Sequence, residues 1–180
     1  MKRQGLGGRL IGPRRINMII ARLRTVFATA KRRKLIGEDP MAFVQNLREP
    51  KAEVDPFTLD EAERVVEAAT GEDRAIVAVL IFCGLRPNAV LALRWEDVDF
   101  DREQLRIRRS IHRFGGIGLP KTASSERDVD MLDIVIDKLQ EQRARTQLRG
   151  HLVFVNETGG PIDLTNFRDR NWKRILVRAS

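Results

Sequence analysis

In the first quarter of the chain, Ile16, Ile19, Ile20, Leu23, Phe27 and Ala30 recur at helical spacing, and Arg14, Arg15, Arg22, Arg24 and Lys31 occupy other positions. This pattern predicts an amphipathic helix that opens at Pro13, where a missing N–H costs nothing, and closes near Lys34, before Gly37. A second, short helix is expected after Asp39, with Pro40 as its first residue and Ala42, Phe43 and Leu47 facing inward. Ahead of both, residues 1–12 hold four glycines and three bases and read as a loose arm. Residues 48–56 (REPKAEVDP) place two prolines among alternating charges and read as a linker.

Beyond the linker the pattern becomes more apolar. Thr58-Leu59-Asp60-Glu61 is a capping box, and Leu59, Ala62, Val65, Val66 and Ala69 give the helix after it a buried stripe. Ala75 to Cys83 is apolar all round, which predicts a fully buried helix with Cys83 as an inert core residue. Gly84 suits the left-handed cap that ends it, and Pro87 can start another helix running to about Leu93. Leu105 and Ile107 alternate with Arg106 and Arg108, as in a strand with one wet, basic face. A glycine-rich hairpin (Phe114 to Gly118) and a return strand at Val129 and Met131 follow. Then come a long helix over Leu132 to Leu148, a short apolar strand over Leu152 to Val155, a turn over Asn156 to Gly160, and a last helix over residues 163–177. The expected fold class is α+β, mostly helical, with a small antiparallel sheet.

Composition narrows the function classes. With 180 residues, 42% hydrophobic and 32% charged, the chain makes one ordinary domain or two small ones, and a mainly disordered or collagen-like chain is excluded. No apolar run approaches the roughly 20 residues that cross a bilayer, and the basic N-terminus lacks a signal-peptide segment. One cysteine, Cys83, excludes an internal disulfide framework, and with only His112 and His151 beside it a Cys/His zinc site is not expected. The net charge of +8 is unevenly spread. Residues 1–37 carry eleven Lys or Arg and no acid, residues 38–100 six bases against fourteen acids, and residues 138–180 nine bases against four acids. Two basic ends around an acidic centre point to a polyanion, because clustered bases gain affinity by displacing counterions from phosphates; a solvated basic face is the bland alternative.

Two positions carry candidate chemistry. Arg86 follows the buried helix and its glycine cap, which would fix a planar guanidinium able to bind phosphate oxygens in pairs. Lys121, in Pro120-Lys121-Thr122-Ala123-Ser124-Ser125, sits on a flexible stem that could reach a phosphate or a leaving oxygen. Their context is more specific than either alone. Gly84-Leu85-Arg86, then Leu93-Arg94-Trp95-Glu96-Asp97-Val98-Asp99, then Lys121-Thr122-Ala123-Ser124-Ser125-Glu126-Arg127 resembles, in order and spacing, the catalytic domain of the phage integrases, the tyrosine recombinase family.

The resemblance implies metal-free DNA strand exchange with no cofactor. A tyrosine attacks the scissile phosphodiester to form a 3′-phosphotyrosyl link, two arginines and a His or Trp stabilise charge on the phosphate oxygens, and a lysine protonates the departing 5′-oxygen. Arg86 matches the first arginine and Lys121 the lysine. Ala89 stands where the family usually has an acidic residue, and the chain contains no tyrosine.

The resemblance therefore implies a truncated recombinase that ends before the family's His-x-x-Arg and Tyr boxes. It divides into partial core-binding helices over 1–47, a linker over 48–56 and an incomplete catalytic domain over 57–180. Such a protein is expected to act in the cytoplasm, to come from a bacterium or phage, to bind double-stranded DNA without joining strands, and to have no membrane partner. The DNA-binding candidates are Arg14, Arg15, Arg22, Arg24, Lys31, Arg32 and Arg33. The alternatives are a non-catalytic accessory DNA-binding protein and an interaction fragment that self-associates or pairs with a complementing recombinase chain.

Overall fold

The computed structural model describes residues 3–4, 10–50, 55–112, 116–118 and 126–180. The chain divides into two units, Met1–Asp55 and Pro56–Ser180. In the first, β1 (Arg3–Gln4) pairs antiparallel with β2 (Leu10–Ile11), so part of the expected loose arm is a short ladder. Helix α1 (Pro13–Arg32) opens on Pro13 and ends with Lys31 and Arg32 in its last turn, where their charges suit the negative end of the helix dipole. It buries none of its residues: Ile19 and Leu23, expected inward, are exposed together with Met18 and Val26.

The expected helix after Asp39 does not form. The Asp39 carboxylate accepts from the Met41 N–H at 2.9 Å, and backbone bonds Ala42 N–H to Asp39 C=O and Val44 N–H to Met41 C=O make turns instead. Side chains of α1 then take the backbone groups that a helix would have used. Asn17 accepts from the Leu47 N–H at 2.8 Å and donates to the Leu47 carbonyl at 2.9 Å, while Arg24 donates to the Val44 carbonyl. Phe43 is 97% exposed and Leu47 is exposed as well, which corrects their inward assignment. Polar bonds, not apolar packing, hold residues 44–49 along α1.

The second unit contains the main core. Helix α2 (Leu59–Ala68) begins with the predicted capping box complete: the Glu61 N–H donates to Thr58 Oγ1 at 3.3 Å and the Thr58 N–H to Glu61 Oε2 at 2.8 Å. Ala62, Val65 and Val66 are buried, but Leu59 is exposed, because the first turn overhangs the core. Helix α3 (Glu72–Phe82) buries Ala75, Ile76, Val77, Ala78 and Val79, whereas Leu80 to Cys83 are only half-buried, so its last turn lies at the core's edge. Gly84 follows with φ +59°, the left-handed conformation that favours glycine.

Helix α4 (Pro87–Val90) is a single turn, shorter than predicted. The buried Leu91, Ala92 and Leu93 continue as turn and extended chain, and the Leu93 carbonyl accepts from the Val153 N–H at 3.0 Å. A 3₁₀ turn (Trp95–Asp97) leads into a sheet of β3 (Val98–Asp99), β4 (Gln104–Ile107) and β7 (Arg127–Asp130), antiparallel throughout, with Val98 opposite Leu105 and Leu105 opposite Val129. Between β4 and β7, β5 (Ser110–Ile111) pairs with β6 (Ile117–Gly118); of the predicted glycine-rich hairpin, Phe114 and Gly115 lie outside the described residues.

Helix α5 (Asp133–Thr146) packs on α3, and its buried Gln142 and Thr146 both donate to the Val153 carbonyl at 2.9 Å. Residues 152–155 are not a sheet strand. One isolated bridge, Arg94 with Leu152, and the bond to Leu93 hold them, with Val153, Phe154 and Val155 buried. The last predicted helix is one helical run: α6 (Leu164–Asn166), a π turn (Phe167–Trp172) and α7 (Lys173–Ala179). It buries Phe167 and Ile175, and α7 packs against α2. The mostly helical α+β class holds, with its antiparallel strands confined to small sheets.

Candidate functional site

Arg86 is the N-cap residue of α4, with extended backbone at φ −67° and ψ 136°. Its backbone is fixed on both sides. Leu85 is buried behind it, and the Arg86 carbonyl accepts from the Ala89 N–H at 2.8 Å and the Val90 N–H at 3.1 Å. The side chain is exposed and makes no hydrogen bond or ion pair with any described residue. No carboxylate among the described residues compensates the guanidinium, and Ala89, one turn on, packs into the core. A cation on rigid backbone, open to solvent and without an acceptor among the described residues, can take an external anion.

Helix α4 packs against β5, whose ladder partner β6 ends at Gly118. Lys121 itself lies outside the described residues. A Cβ built at Gly118 would lie 2.9 Å from His112 Nε2, so the half-buried imidazole rests on the glycine backbone.

A charge network lies at the foot of this hairpin. Asp97 is 5% exposed, and its Oδ2 accepts from the Arg94 N–H at 3.0 Å. Arg109, immediately before β5, donates from Nη1 to Asp97 Oδ1 at 2.8 Å and Oδ2 at 2.7 Å, and from Nη2 to Glu96. Arg94 reaches Glu96 at 3.4 Å. Trp95, between them, packs on the core with Nε1 buried and without an acceptor. The strand bases are likewise paired: Arg106 with Asp99, and Arg108 with Asp128 at 2.7 Å. The expected wet, basic strand face is therefore largely neutralised. The sequence reading missed Arg109 and Asp97; the acidic turn and the run Arg108-Arg109 were visible, but not that the fold joins them.

The N-terminal candidates divide into two kinds. Arg14, Arg15, Arg22, Lys31, Arg32 and Arg33 are exposed and make no ion pair with described residues. Arg24 is half-buried and donates to Asn46 at 2.9 Å as well as to the Val44 carbonyl, so it is engaged within its own unit. At 3.6 residues per turn, Arg15 and Arg22 flank the apolar stripe on one side, Lys31 flanks it on the other, and Arg14 and Arg32 lie opposite it.

Elsewhere, burial holds the Cys83 thiol up at about 11, well away from a reactive thiolate. Asp73, at the start of α3, has its carboxyl raised by burial, against a 3.0 Å hydrogen bond from Asn171 and the nearby Arg174 charge. Among the described residues no His/Cys/Asp/Glu cluster could hold a metal, and no helix is long and apolar enough to cross a membrane.

Comparison with known proteins agrees with this geometry. The profile of the phage integrase family matches residues 56–180. The chain is 28% identical over 138 residues to prophage integrase IntR of Escherichia coli K12, covering 77% of this chain and 33% of that protein. It is 29% identical over 155 residues to a tyrosine recombinase XerC-like protein of Caldanaerobacter subterraneus, covering 72% of this chain and 39% of that one. It thus spans little more than a third of the curated relatives it matches. Among solved structures, the Tn1549 transposon integrase in complex with a circular intermediate DNA superposes with TM-score 0.73 at 20% identity, over 87% of this chain and 56% of that one. A lambda integrase dimer bound to a core site superposes with TM-score 0.63 at 16% identity, over 90% of this chain and 57% of that one. At these identities the superpositions show a shared fold.

Proposed function

The chain belongs to the phage integrase family, the tyrosine recombinases of site-specific DNA recombination, and on that premise we propose that these residues bind duplex DNA through backbone phosphate. The observation that carries this reading is Arg86: an exposed guanidinium on a fixed helix cap, with no partner among the described residues. In this reading its planar donors grip two oxygens of one phosphate, and Lys121 takes the family lysine's place beside the leaving oxygen. These 180 residues contain no tyrosine, so by themselves they supply no phenolic nucleophile for that phosphate.

Arg14, Arg15, Arg22, Lys31, Arg32 and Arg33 add affinity along the backbone by counterion release, and Arg24 helps by holding residues 44–46 against α1. Residues 1–47 then serve as core-binding helices, 48–56 as linker and 57–180 as the catalytic-domain portion, acting in the cytoplasm of a bacterial or phage-carrying cell. A second reading is favoured by the exposed Met18, Ile19, Leu23 and Val26 of α1: association with another copy or a complementing recombinase chain.

The test uses a short, labelled, random-sequence duplex titrated at several salt concentrations. The chain should bind with affinity that falls steeply with salt. Arg86→Ala should weaken binding severalfold and lower the log–log salt slope by about 0.9, one phosphate contact. No binding, or a slope untouched by Arg86→Ala, would overturn the reading.

A further inference from the structure

The ion pair between Asp97 and Arg109 closes a ring in the fold. From Arg86 the chain runs through α4 and the buried Leu91, Ala92 and Leu93 into the 3₁₀ turn that ends at Asp97. Arg109 crosses to that turn, and the next residues, Ser110–Ile111, form β5, which packs back on α4. The connection from α4 to β5 is therefore tied partway along, where the 3₁₀ turn that follows α4 meets the residue that enters β5. The fastening is strongly built, because Asp97 is a buried carboxylate with both oxygens accepting from Arg109 and one also accepting from the Arg94 N–H.

A buried ion pair contributes little net stability on average, since desolvation offsets the attraction, but breaking one leaves a costly uncompensated charge and so enforces one geometry. We infer that Asp97 and Arg109 are positioning residues: together they fix α4 against β5 and so set where the Arg86 guanidinium points. This rests on the reading of Arg86 as a phosphate-binding group. The alternative is an ion pair that only adds stability.

Charge arithmetic separates the two. Asp97→Asn makes the protein more positive, so by electrostatics alone it should bind DNA more tightly. Loss of positioning has the opposite sign. Asp97→Asn should therefore weaken binding to the random-sequence duplex about fivefold, a coupling typical of one network. It should also lower the salt slope by the same step as Arg86→Ala. In the Arg86→Ala background the weakening should vanish, because the group being positioned is gone. Arg109→Lys, which keeps the charge but not the reach to both Glu96 and Asp97, should give a smaller loss that also disappears with Arg86→Ala.

Thermal unfolding without DNA checks that each variant folds; where Asp97→Asn does not, Arg109→Lys decides. Tighter or unchanged binding by the folded variants would overturn the inference, as would equal losses in both backgrounds. Failure of Arg86→Ala itself to weaken binding would instead sink the phosphate-binding reading on which it rests.

Discussion

At the scale of single residues, the folded chain places some carboxylates where charge is unwelcome. Asp73 stands at the start of α3, and burial raises its carboxyl above the ordinary value of 3.8 in spite of Asn171 and Arg174. A folded-state pKa above the unfolded one means that the native state prefers the protonated form. Asp73's contribution to stability is then fully present below the unfolded value and is lost as pH rises through the folded value. Asparagine keeps an acceptor for the Asn171 amide and cannot ionise. Asp73→Asn should therefore gain melting temperature relative to the parent chain as pH rises from about 3 to about 7, even though a helix N-terminus favours an anion by a few tenths of a kcal/mol or more. A difference that stays flat across that range would show that Asp73 is as well solvated folded as unfolded. Asp73 and Asn171 are 98 positions apart, which explains why no sequence pattern announces the pair. Thr58 with Glu61, and Gly84, were legible because their roles are settled within a turn of chain. Arg86 was legible as a candidate for the same reason, whereas its lack of a partner among the described residues is visible only in the folded chain. Lys121 is known from its sequence context alone.

Among the elements, periodicity was reliable where it was long and where packing agreed with it. Helices α1, α2, α3 and α5 all lie within the predicted spans or start just before them. The two failures share a cause. Over residues 40–47 and 152–155 the pattern was short, and distant partners decided the backbone: Asn17 and Arg24 in the first case, Leu93 and the amide and hydroxyl of α5 in the second. Helix α1 shows a different separation, between forming a helix and burying one. Its spacing is as amphipathic as predicted, yet none of its 20 residues is buried. Most helical stability in proteins comes from packing an apolar face, and α1 buries none of its own. Backbone amides of α1 should therefore exchange with solvent at least about a hundredfold faster than those of α3 over Ala75–Val79, which open only with the core. Adding duplex DNA should slow exchange in α1 if its arginines meet phosphate. Equal protection of the two helices without DNA would mean that α1 is stabilised by packing that its exposure does not reveal.

For the molecule as a whole, the two proposed associations respond to salt in opposite directions. Residues 1–37 carry eleven bases and no acid, so phosphate binding there releases counterions and weakens as salt rises. The same residues hold the exposed Met18, Ile19, Leu23 and Val26. Bringing two such faces together buries apolar side chains, each worth on the order of 1–3 kcal/mol when fully covered, but it also sets arginines against arginines. At low salt the repulsion acts over tens of ångströms and opposes pairing; near 1 M the screening length falls to about 3 Å and the apolar gain remains. Self-association should thus be weak in dilute buffer and rise with both protein and salt concentration, while DNA binding falls over the same salt range. Excess duplex at low salt should hold the protein in its DNA-bound form. Light scattering across a salt series, with and without duplex, reads both trends. A mass that stays monomeric at high salt and high protein concentration would remove the self-association reading. A mass that falls as salt rises would instead mean that opposite charges hold the copies together, with the acid-rich stretch over residues 38–100 the natural counterpart to the basic end.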